Sequence, residues 1–301
     1  IKDLDVVLTE TGGGALQLQG SARSGGGVLR LDGRFQPQGG NPWRARVALT
    51  GDRFLASNNA EAKVYVSPDL QVEAVPKRID VTGSVTVPEA QLTPKEGRSV
   101  VKPSSDVVVV RGEEAAETKE AAWEVYARVN LKLGDKVRFT GYGFDGRVSG
   151  GLELNDAPKK ITTATGSLKI EDASYTAYGR TLEVDRGRLA YSGNPVTNPG
   201  LDFVATRTVD DKRVGVMVSG TAADPRVELF SNPNMSEGDI LAYLVLGRPL
   251  NSAGEADGDA LRAAASSFGI AKGSALAESI GQQLGFEDVS VTSGGVGDTA
   301  Q

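Results

Sequence analysis

The chain reads as all-β with a short helical segment towards its C-terminus, on three observations. Apolar and polar residues alternate over most of its length, as side chains do across a strand. Glycine supplies 38 of the 301 residues, many inside these alternating runs, where it marks bends, bulges or close backbone approach. Only after Phe230 does the apolar spacing lengthen from two residues to three or four. A sheet with one apolar and one wet face must cover the apolar one, so what covers it is the functional question.

Residues 1–93 form a first run of strands. Lys2 to Leu8 already alternates, and glycine triplets at 12–14 and 25–27 mark turns. Ile79, Val81, Val85 and Val87 fall on one side of a strand, with Asp80, Thr82, Ser84 and Thr86 on the other. Residues 94–122 break the pattern with two prolines, an apolar run at 107–110 and an acidic stretch at 113–120; this segment is expected to be a mobile loop or insertion. Strands resume over 123–230. Trp123, Val125, Ala127, Val129, Leu131 and Leu133 alternate, as do Leu201, Phe203 and Ala205, and Val214, Val216 and Val218. Altogether the turns mark off roughly 18 strands. Residues 231–285 are expected to be helical. Ser236 and Asp239 form a capping box before the apolar run 240–246, and Gly247 and Pro249 are its stop. Asp259 is expected to cap a second helix carrying Leu261, Ala264, Ala265 and Phe268, and Leu276, Ile280 and Leu284 mark a third. Val289 and Val291 suggest a short strand in the tail, 286–301.

Composition excludes more than it selects. The net charge of −6 disfavours an electrostatic grip on nucleic acid or anionic head groups. Histidine and cysteine are both absent, which removes the commonest general base, the commonest metal ligands and the usual nucleophilic triads. No enzyme, metal site or cofactor is expected. Gly141-Tyr-Gly-Phe-Asp-Gly146 satisfies a dinucleotide fingerprint, but a strand follows it, not the helix that would face a pyrophosphate. It reads as a glycine-bent hairpin. Gly269–Ser274 holds phosphate-loop ingredients in the wrong order. Glu255, Asp257 and Asp259 lack calcium-loop spacing and read as an acidic helix start, and Asn234-Met-Ser236 is a short glycosylation pattern of low specificity. Ile1 is not a methionine, and no run of about twenty apolar residues appears. We read the start as a cut inside a longer protein, with any membrane anchor upstream.

Spaced motifs between residues 61 and 292 carry a family resemblance. Tyr175-Thr-Ala-Tyr-Gly-Arg180 leads into Arg186-Gly-Arg-Leu189, then Asn198-Pro-Gly-Leu-Asp202 and Asp224-Pro-Arg-Val-Glu-Leu229. Ser231-Asn-Pro-Asn-Met-Ser-Glu-Gly-Asp-Ile-Leu-Ala-Tyr-Leu-Val-Leu-Gly-Arg-Pro-Leu250 is the most distinctive stretch. Ser67-Pro-Asp-Leu70, Val85–Pro94 and Leu133–Gly141 add to it. Together these resemble the C-terminal region of the TamB family. Residues 1–60 share the strand style but no recognisable motif.

The resemblance implies an architecture that alternation permits but does not establish: a long curled antiparallel or mixed sheet forming a U-shaped apolar groove, as in bridge-like lipid-transfer proteins. It implies a function in which acyl chains of phospholipids shelter in that groove between the inner and outer membranes of a Gram-negative periplasm. It also implies an inner-membrane anchor and the outer-membrane barrel TamA as partner, with the strands that contact TamA missing beyond Gln301. The expected lining is Ile79, Val81, Val85, Val87, Val125, Val129, Leu131, Val137, Phe139, Leu168, Ile170, Leu182, Val184, Leu189, Leu201, Phe203, Val214, Val216 and Val218. Ile240, Leu241, Tyr243 and Leu244 are expected to form a helix that caps the groove. On this reading a charge at mid-groove, such as Val216→Asp, removes lipid and leaves the strands folded. Side chains packed on each other in a closed sandwich would give the same alternation. Two other readings stand beside the groove. One is an assembly module whose sheet edges template client strands. The other is an outer-membrane barrel, opposed by 6% aromatic content and the helical tail.

Overall fold

The computed structural model describes residues 2–38, 41–95 and 123–267. Fourteen strands make one mixed sheet that does not close on itself, followed by two short helices. The strands are β1 (Lys2–Gly12), β2 (Ala15–Ser24), β3 (Gly27–Gln38), β4 (Asn41–Asp52), β5 (Phe54–Asn58), β6 (Ala62–Val75) and β7 (Arg78–Leu92). After the 94–122 segment come β8 (Glu124–Gly141), β9 (Phe144–Asp156), β10 (Thr163–Ala177), β11 (Arg180–Pro195), β12 (Gly200–Val209), β13 (Lys212–Gly220) and β14 (Pro225–Asn232). Helix α1 spans Glu237–Val245 and α2 spans Glu255–Ser267. The strand order is that of the sequence, except that β5 stands off the path and pairs with β6. The expected count of about 18 is too high for the described residues, because several short runs fuse into long strands, β8 reaching 18 residues.

Long strands bend at defined places. The first half of β6 pairs with β5 and the second half with β4, so β4 and β5 act as one strand broken at Arg53, whose φ is +43°. In β7 a bulge at Pro88 shifts the register on both sides, and proline suits a bulge because it has no N–H to give the ladder. Gly134 of β8 lies against it: a Cβ there would be 3.0 Å from the Pro88 backbone. Tyr142 and Gly143, at φ +55° and +79°, make a two-residue hairpin turn between β8 and β9. Of the fingerprint-like glycines Gly143 is a turn residue and Gly141 and Gly146 are strand residues beside it, in the hairpin that the sequence suggested.

The pairing of β7 with β8 is parallel, while the ladders from β1 to β7, that of β8 with β9 and those from β12 to β14 are antiparallel. Arg78 pairs with Glu124 at one end and Leu92 with Phe139 at the other. A chain leaving β7 must therefore return along its whole length, about 50 Å at 3.3 Å per residue, before β8 begins. That demand accounts for a long segment between these two strands and no other.

The chain divides into two compact units, residues 1–173 with 188–200, and residues 174–187 with 201–301. In the first unit Val87, Ala90 and Val137 are buried together, with Val64, Val66, Val85, Leu131, Leu133 and Val148 around them. In the second, α1 lies between strands and α2. Ile240, Tyr243 and Leu244 pack on Leu182, Ala205, Val214 and Val216. Leu241, Ala242 and Val245 pack on Leu250, Leu261, Ala264 and Ala265. The helix begins as the capping box requires: Ser236 Oγ accepts from the Asp239 amide at 3.2 Å and donates to its carboxylate at 2.7 Å. It ends at Gly247, φ +75°, whose amide donates to the Ala242 carbonyl at 3.1 Å. Helix α2 starts four residues before the predicted cap at Asp259, because Asp257 folds back to accept from the Gly254 amide at 2.8 Å. Phe268, the third helix and the Val289–Val291 strand lie outside the described residues.

Candidate functional site

Cross-strand register turns the alternation of single strands into a surface. Residues that pair across a ladder share a face, and apolar residues meet apolar ones row after row in the first unit. Leu16 pairs with Phe35 and Leu18 with Gly33. Gly33 pairs with Val47 and Leu31 with Leu49, Val47 with Val72 and Leu49 with Leu70. Val72 pairs with Val81 and Ala74 with Ile79, then Ile79 with Val125, Val81 with Ala127 and Val85 with Leu131. Leu131 and Val129 pair with Leu152 and Leu154. Along these rows no charged residue falls on this face from Leu16 on β2 to β8; on β9 Leu152 and Leu154 continue it, and Asp156, paired with Ala127, puts a charge at its edge. Most of its side chains are half-buried, and among the described residues no helix of the first unit packs on it.

The opposite face is its chemical inverse. Arg34 pairs with Arg46, Arg46 with Glu73, Glu73 with Asp80, and Asp32 lies beside Ala48 and Gln71. Arg46 bridges to Glu73 at 3.0 Å, and the Arg78 fork holds Asp80 at 2.7 and 2.8 Å while lying over the Tyr126 ring. The Asp80 carboxyl is thereby held below the usual aspartate range. Such exposed pairs add little stability; they keep this side wet. A cleft of about 480 Å³ on it, under the 157–161 loop, is lined by Arg78, Asp80, Tyr126, Arg128 and Asn155.

One end of the apolar face carries an aromatic column. Phe35 and Trp43 rings lie 5.6 Å apart, and Trp43 and Trp123 rings 5.7 Å apart. In a flat sheet β4 and β8 stand three spacings apart, about 14 Å. The rings meet past the β6–β7 turn, so within the first unit the sheet curls towards its apolar side. Both tryptophans follow the parity of the apolar positions next to them, Ala45 and Val125.

The predicted lining residues separate into three groups. Ile79, Val81, Val85, Val125, Val129 and Leu131 share the open face just described, and Val87 and Val137 join the buried cluster beside it. Phe139 pairs with Leu92 and lies 6.1 Å from the Phe144 ring. Leu168 and Ile170 share a face of β10, Ile170 buried, and Leu189 on β11 is half-buried. Leu182, Val184, Val214, Val216 and Val218 lie in the second unit under α1, while Phe203 pairs with Val218 and Leu201 is half-buried. Val214 is wholly buried and Val216 only 6% exposed. The expectation that Val216→Asp spares the fold therefore fails, since the charge would be buried unpaired. Of the four capping residues, Ile240, Tyr243 and Leu244 face the strands; Leu241 faces α2.

Sequence reasoning named no residue of the first sixty, yet Leu16, Leu18, Leu29, Leu31, Phe35, Val47 and Leu49 extend the same face. Their alternation was visible. Glycines 20, 33 and 51 occupy apolar-face slots in register with Leu31, Leu18 and Leu29 and interrupted the pattern.

A model of the TamB C-terminal domain matches residues 17–301. The chain belongs to the TamB family. It is 28% identical over 277 residues to the translocation and assembly module subunit TamB of Haemophilus influenzae, a match covering 86% of this chain and 21% of that protein. The chain thus spans about a fifth of the length of the curated relative it matches. The TamB match takes in the first unit from β2 onwards, including strands in which no motif is recognisable. Of the motifs that carry the TamB resemblance, some fall at turns and at α1, while others, Ser67–Leu70 and Arg186–Leu189 among them, lie inside strands. Tyr178 and Gly179 form the β10–β11 turn at φ +53° and +71°, and Ser236 to Leu250 builds the buried helix and its stop. Among the described residues no helix is long and apolar enough to cross a membrane, and no cluster of carboxylates could hold a metal ion.

Proposed function

We propose that this TamB segment shelters phospholipid acyl chains on the apolar face of its first unit, as part of a periplasmic path between inner and outer membranes, working with TamA. The observation that carries the reading is the half-open apolar face, continuous in register over seven neighbouring strands and free of charge from β2 to β8, with Asp156 at its β9 edge. Hydrocarbon leaving water for such a surface gains about 0.8 kcal/mol per methylene, so ten methylenes gain roughly 8 kcal/mol without any head-group contact. Strands alone present this face, and strands do not need to open for a chain to slide along it. In the second unit the corresponding side chains are already covered by α1, so that unit is the closed part of the segment. The test is native mass spectrometry and lipid extraction of the chain purified from a bacterial envelope. Stoichiometric phospholipid that survives gel filtration is the expected result; a lipid-free, stably folded chain would sink the proposal.

A second reading has its own observation. Among the described residues β1 and β14 are the outer strands of the sheet, and Leu4, Val6 and Leu8 of β1 are 71%, 57% and 61% exposed. An unpaired apolar edge can template another strand, as an assembly module for barrel clients would require. It predicts saturable binding of strand peptides that is lost when prolines are placed in β1.

A further inference from the structure

Arginine 207 occupies an apolar position. On β12 it pairs with Val214 of β13, two rows along from the Ala205–Val216 and Phe203–Val218 pairs. A guanidinium on such a face is costly unless something answers its charge. Neighbouring arginines are answered: Arg213 bonds Asp185 at 2.8 Å and Arg186 bonds Asp202 at 2.9 Å. Among the described residues neither Arg207 nor Arg180 has an ion pair, and Arg207 Nη1 is buried with no hydrogen-bond partner.

The two cations converge. Arg207 Nη2 lies 3.2 Å, and Arg180 Cζ 3.4 Å, from the point where a Cβ on Gly247 would sit. Gly247 leaves that space empty at the C-terminal end of α1. There Arg180 Nη2 donates to the Leu246 carbonyl at 2.7 Å, which uses one of its five donors and neutralises no charge. Burial, and then the nearby Arg180 charge, hold the Arg207 guanidinium below the usual arginine range. Both causes mark an unmet demand for a negative group. A cavity of about 640 Å³ opens beside Arg180 and is lined by Tyr178, Leu246 and Arg248. The acid in its wall, Asp257, is already held by Arg248 at 2.5 Å and by the Gly254 amide at 2.8 Å, so it leaves Arg180 free.

We propose that Arg180 and Arg207 form a binding site for one phosphate group. Two planar forks that converge on one point present several N–H donors to it, and charge-assisted bonds of this kind are the strong ones. A bound phosphate supplies the acceptor that Nη1 lacks and removes the repulsion between the two cations. Assigning that phosphate to a phospholipid head group rests on the lipid-sheltering reading above; the site itself does not.

The test follows the arginine Nε–H signals of the isotopically labelled full chain. Inorganic phosphate is added first at constant ionic strength, and then a short-chain phosphatidylglycerol below its micelle concentration. The signals that vanish in Arg180→Gln and Arg207→Gln are expected to move together and saturate. Either substitution is expected to weaken binding about tenfold or more, and Arg207→Lys to rescue it only in part, because charge returns without the fork. Arg180 is exposed, so Arg180→Gln carries the test if Arg207→Gln fails to fold. Saturation by the lipid at far lower concentration than by phosphate assigns a head group; equal affinity assigns a free anion. Both support the site. Signals that stay still at millimolar concentrations of both ligands, or binding unchanged in Arg180→Gln, would overturn it. Phospholipid retained on the first unit is measured separately by extraction. Loss of that lipid with intact phosphate shifts sinks only the sheltering reading, and the reverse sinks only this site.

Discussion

Replacing Val81 by aspartate places one charge in the middle of the open apolar face, where Val72 and Ala127 are its row neighbours. Val81 is half-buried, so the new carboxylate keeps part of its water and the strand stays paired. Hydrocarbon cannot lie over a hydrated charge. Three or four methylenes forced back into water lose about 3 kcal/mol, roughly a hundredfold in affinity. Thr82 is one residue away in the same strand and faces the wet side, in register with Arg128. Thr82→Asp therefore adds the same charge to the same strand with no effect on hydrocarbon. Both variants would be purified in parallel, checked for equal thermal unfolding, and assayed for phospholipid retained per chain. Val81→Asp is expected to come through nearly empty and Thr82→Asp loaded as the parent. Equal retention in the two would refute the argument that one face of this sheet is the site.

Further outcomes follow from the packing. Leu241→Ala, at a wholly buried position between α1 and α2, is expected to cost about 2–5 kcal/mol by urea denaturation; Val216→Asp should cost as much or more and loosen α1 from the strands. Gly83→Ala would drive a Cβ to 2.2 Å from the Asp69 carbonyl at a φ of +128°, so a loss of at least about 2 kcal/mol is expected, with amide exchange accelerated along β6 and β7. The Asp145 carboxyl is held below the usual aspartate range, first by the Thr140 hydroxyl and then by Arg138. Its stabilisation is fully present above the unfolded value near about 4 and is lost as pH falls from there through the lower folded value. Asp145→Asn should accordingly flatten the acid limb of the stability curve, while leaving the parent to lose more urea resistance between neutral pH and about pH 3.

Much of the strand content could be read directly from alternation, because a half-buried strand writes its two faces into the sequence. Ile79 to Val85 and Val125 to Leu131 behave as that pattern says. The capping box at Ser236 and the stop at Gly247 were equally legible, since each side chain or its absence does a local job. What alternation does not carry is which strands lie beside each other and what lies above them. Val214 and Val216 alternate as cleanly as Val81, yet they sit beneath α1, whose residues that touch them begin at Ile240, and in none of these is their burial written. The parallel pairing of β7 with β8 was hidden for the same reason: it is a long-range choice, visible in sequence only as an unexplained gap. Bulges also defeat parity. Val87 and Ala90 share one cluster although they differ by three positions, because Pro88 shifts the register between them. The starting point of α2 was misread because Asp257, not Asp259, bonds back to the preceding turn.

Tryptophan emission offers the most direct measurement. The chain holds two tryptophans, Trp43 and Trp123, with rings 5.7 Å apart at one end of the apolar face. Phospholipids brominated along the acyl chain quench an indole only on contact with the hydrocarbon. Loading the chain with them is expected to quench its emission strongly, and Val81→Asp to abolish most of that quenching while Thr82→Asp preserves it. Emission that is unchanged by brominated lipid, from rings that a water-soluble quencher still reaches, would contradict the account.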